Sequence, residues 1–521
     1  MFKNKNGTPY TIANANDFLS VKSINRRIMY NTPVDQTDLP VTPAYISQVD
    51  NVNGVKVLYA SKWLNGVVVS VPNADLNVAL NTINNFPFVM TLAPVNRYAV
   101  NYPKTSPDVG QAAGQQSLKT TNTASFNMGG SYWQNKQMNL DCLHDAGYRG
   151  KGITIAVLDA GFSNVNNSPM YDSLRARGGI IGTRDFVAGG NSVYEDGDHG
   201  AAVLSCMAAI KPGVIMGSAP AADYWLLRTE EGAAETLTEE YNWIRGAEFA
   251  DSVGVDILTT SLGYTTFDNS AQNHNYNTLN GRTAPMSIAA TMAARKGMFV
   301  LNAAGNEGAS GWQYICVPAD ADSICTVGAI DTLSNYASFS SVGPTADGRI
   351  KPDLVARGLG AWIASSDGSV CFPGNGTSFA TPVLAGAVAC YWQAHRGLNN
   401  IQLLKTLKNS ASNKNSPNNF IGWGKPDMCS FVVGMSEVNA AKSDAGLNVS
   451  PNPFNAFVNI SLENAGDILS IEITDVLGKV IKTVNINTST YVLNTSELKE
   501  GVYFVKVDTG SGILTKKIIR Q

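Results

Sequence analysis

The chain has 521 residues, of which 44% are hydrophobic and 15% charged, and its formal net charge is −3. This length predicts two to four domains, and the small net charge excludes the strongly basic surface of proteins that bind nucleic acid or anionic membranes. No apolar run approaches the roughly 18 residues that a membrane-spanning helix needs. We therefore expect a multi-domain globular protein with no nucleic-acid partner and no transmembrane segment.

Residues 1–105 are predicted to form a small α+β domain that contains no Cys and no His. Residues 55–60 and 66–71 have the pattern of strands, with the turn signal Asn65-Gly66 between them, and residues 73–84 that of a helix. The first residues after Met1 lack the apolar stretch of a signal peptide. Either the protein stays inside the cell or a signal peptide has been removed, and the C-terminal segment favours removal.

Residues 106–130 are rich in Gln, Ser, Thr, Asn and Gly. This composition is typical of an exposed linker that a protease can cut.

Residues 131–435 alternate apolar strands with helical stretches. Residues 153–158, 255–258 and 298–301 are predicted to be buried parallel strands, and residues 199–210 and 378–392 helices of small residues. The alternation predicts an α/β fold, namely a doubly wound, mostly parallel sheet with helices on both faces.

All seven cysteines and all four histidines lie in this middle segment, so we expect the chemistry there. It contains no CxxC pair and no clustered Cys/His spacing, which argues against structural zinc. Cys316 and Cys325 are close enough in sequence to close one disulfide loop. The odd number of cysteines predicts at least one free, buried thiol.

Residues 444–521 again lack Cys and His, and their strands are separated by Asn, Gly and Pro turns. Residues 471–473 and 502–507 carry the strand signal, and residues 477–479 the turn signal. A small C-terminal β-sandwich is the expectation.

Polar residues follow the predicted strands of the middle segment. Asp159 comes directly after the strand at 153–158, Asn306 follows the strand at 298–301, and His199 opens a predicted helix. Each alone has an ordinary explanation as a turn, cap or core residue. Together they occupy the places where an open α/β sheet carries its functional groups, the carboxyl ends of strands and the starts of helices.

Ser378 lies in the loop Gly-Asn-Gly-Thr-Ser-Phe-Ala-Thr-Pro at 374–382, which leads into a helix. A serine there would ordinarily be a helix cap. The same position also aims backbone N–H groups and the positive end of the helix dipole at a developing anion. Capping alone requires neither the preceding glycines nor Pro382.

The four stretches, in the order Asp, His, Asn, Ser, resemble the subtilisin-like serine proteases (subtilases), and Asp-His-Ser is the order known from subtilisin itself. The Gly-Thr-Ser-x-Ala-x-Pro pattern at 376–382 is the most specific, and residues 338–341 and 351–356 also resemble family segments. The resemblance implies that Ser378 is the nucleophile, that His199 is the general base and then acid, and that Asp159 orients the imidazole. Asn306 would donate its side-chain amide to the oxyanion, together with the Ser378 backbone N–H.

The resemblance also implies a peptide-binding edge at Ser261, Leu262 and Gly263, which would pair with substrate by strand addition; a plain turn is the alternative. The pocket for the residue before the scissile bond would be lined by residues 316–318 and by Ala303, Ala304 and Gly305.

Two residues depart from the family pattern. Ala201 stands where the family usually has Thr after His-Gly. Arg357 stands where Pro often follows the segment Lys-Pro-Asp-Leu-Val-Ala at 351–356. We expect these departures to change local packing and not the chemistry. The family needs no cofactor for its reaction. Its members often hold structural calcium, but the Asp and Glu residues show no EF-hand-like spacing, so no metal ligand is assigned.

The flanking segments extend the resemblance. Residues 1–105 resemble the propeptide of secreted bacterial subtilases, an intramolecular inhibitor and folding aid that would be cut off in the linker. Residues 444–521 begin with Val-Ser-Pro-Asn-Pro at 449–453 and resemble the sorting domain of type IX secretion. This domain implies secretion machinery as a partner and a secreted or outer-membrane surface location in a gram-negative bacterium. An accessory sandwich that binds protein or carbohydrate is the alternative, although no dense aromatic cluster favours sugar.

The sequence therefore predicts a secreted serine endopeptidase made as a zymogen, acting on protein or peptide substrates. Two other functions stay open. One is an inactive family relative used as a binding or surface protein. The other is an esterase or acyl transferase with the same triad.

Overall fold

The computed structural model describes residues 1–95, 127–232, 234–430, 447–462, 468–475, 479–509 and 513–521. The predicted linker at 106–130 lies outside the described residues except for its last four. The chain divides into two compact units, Met1–Met428 and Cys429–Gln521, and each is described by itself.

The first unit contains helices and strands in alternation. Its helices are α1 Val21–Met29, α2 Pro43–Asp50, α3 Leu76–Asn84, α4 Tyr132–Lys136, α5 Leu140–Asp145, α6 Asp172–Ala176, α7 His199–Ala208, α8 Leu237–Val253, α9 Pro285–Arg295, α10 Thr377–Ala394 and α11 Asn400–Ser410. Its strands are β1 Lys56–Ser61, β2 Gly66–Ser70, β3 Thr154–Asp159, β4 Ile180–Asp185, β5 Ile210–Lys211, β6 Ile215–Met216, β7 Asp223–Arg228, β8 Ile257–Thr260, β9 Phe299–Ala303, β10 Cys325–Ile330, β11 Leu354–Arg357, β12 Leu359–Ala364 and β13 Cys371–Asn375. Short 3-10 helices lie at Ile12–Asp17, Pro169–Tyr171, Ser270–Gln272 and Tyr276–Thr278.

A seven-stranded sheet forms the centre of this unit, in the order β11-β10-β9-β8-β3-β7-β4. All its neighbouring strands are parallel. Every residue of β3, β8, β9 and β10 is buried, because helices cover both faces of a parallel sheet, and this explains their continuous apolar sequences. The predicted strands at 153–158, 255–258 and 298–301 are β3, β8 and β9.

Two pairs of helices cover the sheet: α7 packs on α10, α8 packs on α9, and members of each pair contact the strands. The core between sheet and helices includes Leu158 and Leu258 from the strands and Trp243, Ala247 and Ala290 from the helices. The doubly wound α/β class predicted from the sequence is confirmed.

The N-terminal part of the first unit has its own small core, which includes Val41, Val49, Ala79 and Ile83. Strands β1 and β2 form the predicted antiparallel hairpin, and Asn65 before β2 has a positive φ of 49°. The predicted helix at 73–84 is α3. Helix α1 was not predicted; it begins after Ser20, whose side chain accepts a hydrogen bond from Ser23 N over 3.1 Å.

The second unit consists of two antiparallel sheets. Its strands are β14 Leu447–Ser450, β15 Phe457–Leu462, β16 Ile468–Asp475, β17 Val480–Thr488, β18 Thr490–Asn494, β19 Gly501–Asp508 and β20 Ile513–Arg520. The sheets have the orders β14-β15-β18 and β17-β16-β19-β20 and contribute to one apolar core, as the sandwich prediction requires. Strands β16 and β19 contain the predicted strands at 471–473 and 502–507, whereas residues 477 and 478 of the predicted turn lie outside the described residues.

The predicted disulfide between Cys316 and Cys325 is wrong, since both cysteines are free. Cys325 opens β10 opposite Leu301, whereas Cys316 N donates to Ala304 O beyond the carboxyl end of β9. Three residues of strand separate the two levels by about 10 Å, and a disulfide needs Cα atoms within about 7 Å of each other. Cys142 and Cys429 are the disulfide-bonded cysteines.

Candidate active site

Asp159 is the last residue of β3, the strand that lies between β7 and β8 in the sheet. Its side chain is fully buried, and its Oδ1 accepts hydrogen bonds from Ala160 N at 2.8 Å and from the His199 ring. Both hydrogen bonds hold the carboxylate in one orientation. The strand end thus fixes one negative charge at the carboxyl edge of the sheet.

His199 is the first residue of α7, and its Nδ1 lies 2.8 Å from Asp159 Oδ1. Since a carboxylate can only accept, the Nδ1–H donates, and in the neutral form of the ring Nε2 is the acceptor. Burial lowers the pKa of His199, but the charge and hydrogen bond of Asp159 outweigh it, with smaller contributions from Glu230 and Asp198, and raise the pKa to about 9. The side chain is 20% exposed, so solvent reaches part of the ring.

Ser378 is the second residue of α10 and exchanges two hydrogen bonds with Ser261, which follows β8. Its Oγ donates to Ser261 O over 3.2 Å, and Ser261 Oγ donates to Ser378 O over 2.8 Å. The second bond compensates for Pro382, which has no N–H to give to the carbonyl four residues before it. The proline therefore creates the acceptor that ties the start of α10 to the segment after β8.

The hydrogen bonds among the described residues include none between His199 and Ser378. The imidazole is adjacent to the start of α10, with its ring centroid 6.1 Å from that of Phe379. Hydrogen bonds between catalytic groups are often long or poorly aligned before substrate binds. Because a hydroxyl has one proton to donate, Ser378 Oγ would have to give up its hydrogen bond to Ser261 O in order to donate to Nε2.

Asn306 follows β9 and is held by its amide oxygen. Its Oδ1 accepts hydrogen bonds from Thr377 N at 2.9 Å and Thr377 Oγ1 at 3.0 Å. The amide nitrogen is thereby left for another acceptor. A Cβ atom built on Gly376 would lie 3.7 Å from Asn306 Nδ2 and 3.6 Å from Ser378 N, so both donors border the same small space.

The two predicted substrate-binding segments lie close together. A Cβ atom on Gly263 would come within 2.9 Å of Cys316 Cβ, and one on Gly305 within 2.5 Å of Cys316 Sγ. Gly305 has a positive φ of 109°, and its N–H donates to Thr377 Oγ1 over 3.3 Å. Cys316 thus contacts both segments, and larger side chains at the two glycines would collide with it.

The remaining residues of these segments are fixed by the sheet. Ala303 ends β9, and Ala304 N donates to Val327 O over 2.9 Å. Leu262 is buried, and its carbonyl accepts a hydrogen bond from Asn302 Nδ2 over 3.1 Å. All the predicted site residues therefore lie at the carboxyl edge of the sheet.

Glu230 and Tyr264 at the same edge were missed by sequence reasoning. Thr229 N donates to Asp159 O over 3.0 Å, which places the following Glu230 beside the buried aspartate. Tyr264 OH, from the segment after β8, donates to Glu230 Oε2 over 3.3 Å. Burial and then the charge of Asp159 raise the pKa of Glu230 to about 7. The sequence feature that could have identified Glu230 is its position just after the strand β7.

Neither a metal site nor a membrane helix is found in the described part of the chain. Among the described residues, no group of three or more His, Cys, Asp or Glu side chains is arranged to hold a metal ion. In the same residues no helix combines the length and the apolarity required to cross a membrane.

Three protein-family models match the chain. The model of the subtilase family matches residues 150–424, a propeptide domain of this peptidase family from Bacteroidota matches residues 1–110, and a secretion system C-terminal sorting domain matches residues 448–521. We call residues 150–424 the subtilase region.

Known relatives align with about half of the chain. Subtilisin from Bacillus pumilus is 31% identical over 280 residues, which are 53% of this chain and 90% of that protein. Subtilisin NAT from Bacillus subtilis subsp. natto is also 31% identical over 280 residues, and the alignment spans 65% of its length. Among solved structures, MycP1 from Mycobacterium smegmatis matches with a TM-score of 0.45 and 21% identity, over 60% of this chain and 85% of that chain.

Proposed function

Since the chain belongs to the subtilase family of serine peptidases, we propose that it is a secreted serine endopeptidase, made as a zymogen, that cuts peptide bonds through Ser378, His199 and Asp159. The observation that carries the proposal is the 2.8 Å contact between His199 Nδ1 and Asp159 Oδ1, at the edge where Ser378 opens α10. A serine, a base and a carboxylate that orients the base are what acyl transfer at neutral pH requires.

In this mechanism Ser378 Oγ attacks the carbonyl carbon of the scissile bond while its proton passes to His199 Nε2. Asp159 keeps the Nδ1–H tautomer and stabilises the imidazolium that forms. The imidazolium then protonates the leaving amine, which departs with the C-terminal product. Water repeats the sequence on the acyl-enzyme and restores Ser378. These steps use protein groups and water, without a cofactor.

The oxyanion of the tetrahedral intermediate would be bound by Asn306 Nδ2 and Ser378 N. The support is that Thr377 holds the Asn306 amide by its oxygen and so keeps the nitrogen free to donate. Donors fixed before the reaction cost no reorganisation as the charge develops.

Substrate would bind in extended form along Ser261, Leu262 and Gly263, with the side chain before the scissile bond between this edge and Ala303, Ala304 and Gly305. Backbone pairing of this kind gives affinity with little dependence on substrate sequence. Cys316 would lie at the inner end of that pocket, because it contacts Gly263 and Gly305.

The C-terminal sorting domain makes this a secreted or cell-surface protein. We further propose that residues 1–105 are a propeptide that acts as an intramolecular inhibitor, and that maturation occurs within 106–130. The catalytic domain would cover 131–435, and residues 444–521 would be a sorting domain that secretion machinery recognises. The propeptide match supports this role, and so does the hydrogen bond that Gln272 Nε2, in the segment between β8 and α9, donates to Val95 O over 3.2 Å.

Peptide hydrolysis by matured protein tests this function. Removal of the serine from subtilisin itself lowers kcat by about 2 × 10⁶, and we expect Ser378→Ala to abolish hydrolysis on the same scale. Ser270→Ala, which changes an exposed serine, is the matched control and should leave kcat/KM unchanged. Parallel assays on a peptide amide and its ester address the acyl-transferase alternative. Hydrolysis of the ester alone, or of neither, would contradict the proposal.

A further inference from the structure

Arg357 is a cation on the carboxyl side of the sheet to which the proposed mechanism gives no role. It ends β11, the strand at one margin of the seven-stranded sheet. Since the strands are parallel, it lies on the same side as Asp159 and Asn306, which come at or after the ends of β3 and β9. The family pattern often has Pro at this place. The chain therefore has a charge here that the family pattern does not explain.

The Arg357 guanidinium lies beside the loop that leads into α10. Its Nη2 would be 3.5 Å from a Cβ atom built on Gly360, and Gly360 N donates to Asn375 Oδ1 over 2.8 Å. Gly376 N donates to the carbonyl of Gly358 over 2.9 Å, which holds the two segments together. Asn375 is exposed, and α10 begins directly after Gly376. The cation is thus presented next to the segment that carries the proposed nucleophile.

The charge of Arg357 has no ion-pair partner among the described residues. Its Nε is buried without a hydrogen-bond partner, whereas Nη1 and Nη2 also have none but are not buried. Burial lowers the pKa of Arg357, and the charge of Asp331 opposes this only in part. Partial removal of a cation from water is unfavourable as long as no anion compensates it. A carboxylate that arrives from solvent would therefore meet a cation whose donors are unoccupied.

The order of the strands places this cation on the leaving-group side of the scissile bond. In the proposed complex, the substrate residues before that bond lie along the segments that follow β8 and β9. The sheet continues from β9 through β10 to β11, away from β8. Asn306, which would bind the oxyanion, follows β9, so a substrate that passes Ser378 continues toward the end of β11. Arg357 would therefore meet residues after the scissile bond and none of those before it.

We propose that Arg357 determines specificity by binding a carboxylate of the substrate at the first or second residue after the scissile bond. This inference rests on the proposed function. The carboxylate would belong to an Asp or Glu side chain or to the free C-terminus of a short leaving group. Two guanidinium nitrogens can bind both oxygens of one carboxylate, which an uncharged amide cannot reproduce. The enzyme would therefore favour cuts that precede an acidic group.

The test uses matured protein and internally quenched peptides that share one sequence before the scissile bond, with the cut site verified by mass spectrometry. Pairs carry Asp or Asn at the first or the second residue after the bond. We expect kcat/KM to be about tenfold higher for Asp at one of these positions, the scale of one hydrogen bond to a charged group. Peptides that end there as a free acid or an amide distinguish a terminal carboxylate from a side chain. Equal kcat/KM within every pair overturns the proposal.

Variants at Arg357 assign the preference to this side chain. Arg357→Met keeps the apolar stem, and its acid-to-amide ratio should fall to about one, whereas Arg357→Lys keeps the charge and should retain a ratio of roughly three. Arg295→Met, at an exposed arginine that ends α9, is the matched control and should keep the full ratio. A merely structural role would lower both members of a pair equally, and an unchanged ratio in Arg357→Met would overturn the proposal. If that variant does not unfold cooperatively, the ratio of the unsubstituted protein still decides.

Binding without cleavage separates this inference from the proposed function. The Ser378→Ala chain is cut by an external protease at a site inserted between residues 105 and 106, freed of its N-terminal fragment and titrated with the same peptides by fluorescence anisotropy. We expect Kd to be lower for the acidic member of the pair, again by about tenfold. Protein that cuts no peptide while the variant shows this ratio would contradict the proposed hydrolysis and support the role of Arg357. Protein that cuts both members of every pair equally would do the reverse.

Discussion

At the scale of single residues, the amide of Asn306 is oriented before any substrate arrives. Thr377 occupies the amide oxygen with two hydrogen bonds, so the amide nitrogen points its donors elsewhere. The orientation comes from Thr377, the neighbour in sequence of Ser378, which couples the proposed oxyanion donor to the proposed nucleophile. A small displacement of one would displace the other.

Replacing this amide should damage turnover and not binding. In subtilisin, loss of the corresponding oxyanion donor lowers kcat by about 10²–10³, and we predict a loss of that size for Asn306→Ala, with KM changed less than threefold. Steady-state kinetics on a peptide substrate measure both constants. Asn277→Ala, at an exposed asparagine, is the control. An unchanged kcat would remove Asn306 from the mechanism.

The pH dependence of kcat/KM should report the anionic surroundings of His199. In the proposed mechanism His199 must be neutral to accept a proton, so activity rises as the pH passes the pKa of His199. Burial lowers this pKa, but Asp159 and, to a smaller degree, Glu230 raise it to about 9. We predict an acid limb above the ordinary value of 6.5, and a shift of that limb to lower pH in Glu230→Gln. Glu500→Gln, at an exposed glutamate, should not move it, and an unmoved limb in Glu230→Gln would contradict this account.

At the scale of elements, the contact between the start of α10 and the segment after β8 depends on one side chain. Ser261 Oγ supplies the hydrogen bond that Pro382 cannot give to Ser378 O. In the proposed mechanism this pairing positions Ser378 relative to the substrate-binding edge. The hydrogen bond that replaces the one missing at Pro382 would therefore also affect the reaction.

Ser261→Ala should therefore lower both stability and turnover. A buried acceptor left without a donor costs roughly 1–3 kcal/mol, and we predict a decrease of that size in the free energy of unfolding. Urea denaturation of inhibited protein measures it, with Ser270→Ala as the control. Equal stability of the two variants would show that another group satisfies the carbonyl.

The central sheet and most of the site could be predicted because buried parallel strands leave continuous apolar runs in the sequence. Asp159, His199, Asn306 and Ser378 stand directly after such runs or at helix starts. Strand order, however, depends on pairing between distant segments. Glu230 could not be placed beside Asp159 until β7 was known to neighbour β3.

The wrongly predicted disulfide and the missed helix α1 are also explained by long-range packing. Cys316 and Cys325 are near in sequence, but one lies beyond a strand's carboxyl end and the other at the start of the next strand. Helix α1 was missed because its arginines, normally a sign of exposure, are buried against Asp251. In both cases long-range packing decided what local sequence could not.

At the scale of the whole molecule, the two compact units have separate cores. Deletion of residues 444–521 should abolish export while leaving the kcat/KM of matured protein within about twofold. Immunoblots of culture fluid, cell surface and periplasm measure export. The full-length Ser378→Ala chain is the control and should be exported, which separates sorting from activity. Normal export of the deletion variant would contradict the sorting function.

We propose that Ser378 becomes a reactive nucleophile when the N-terminal segment is lost. Fluorophosphonate labelling of the purified full chain over time, with mass spectrometry of the fragments, tests this activation. We predict that label appears on Ser378 in step with release of the first hundred or so residues, and that the Ser378→Ala chain takes none. A chain that sheds this segment and remains unlabelled would contradict the account.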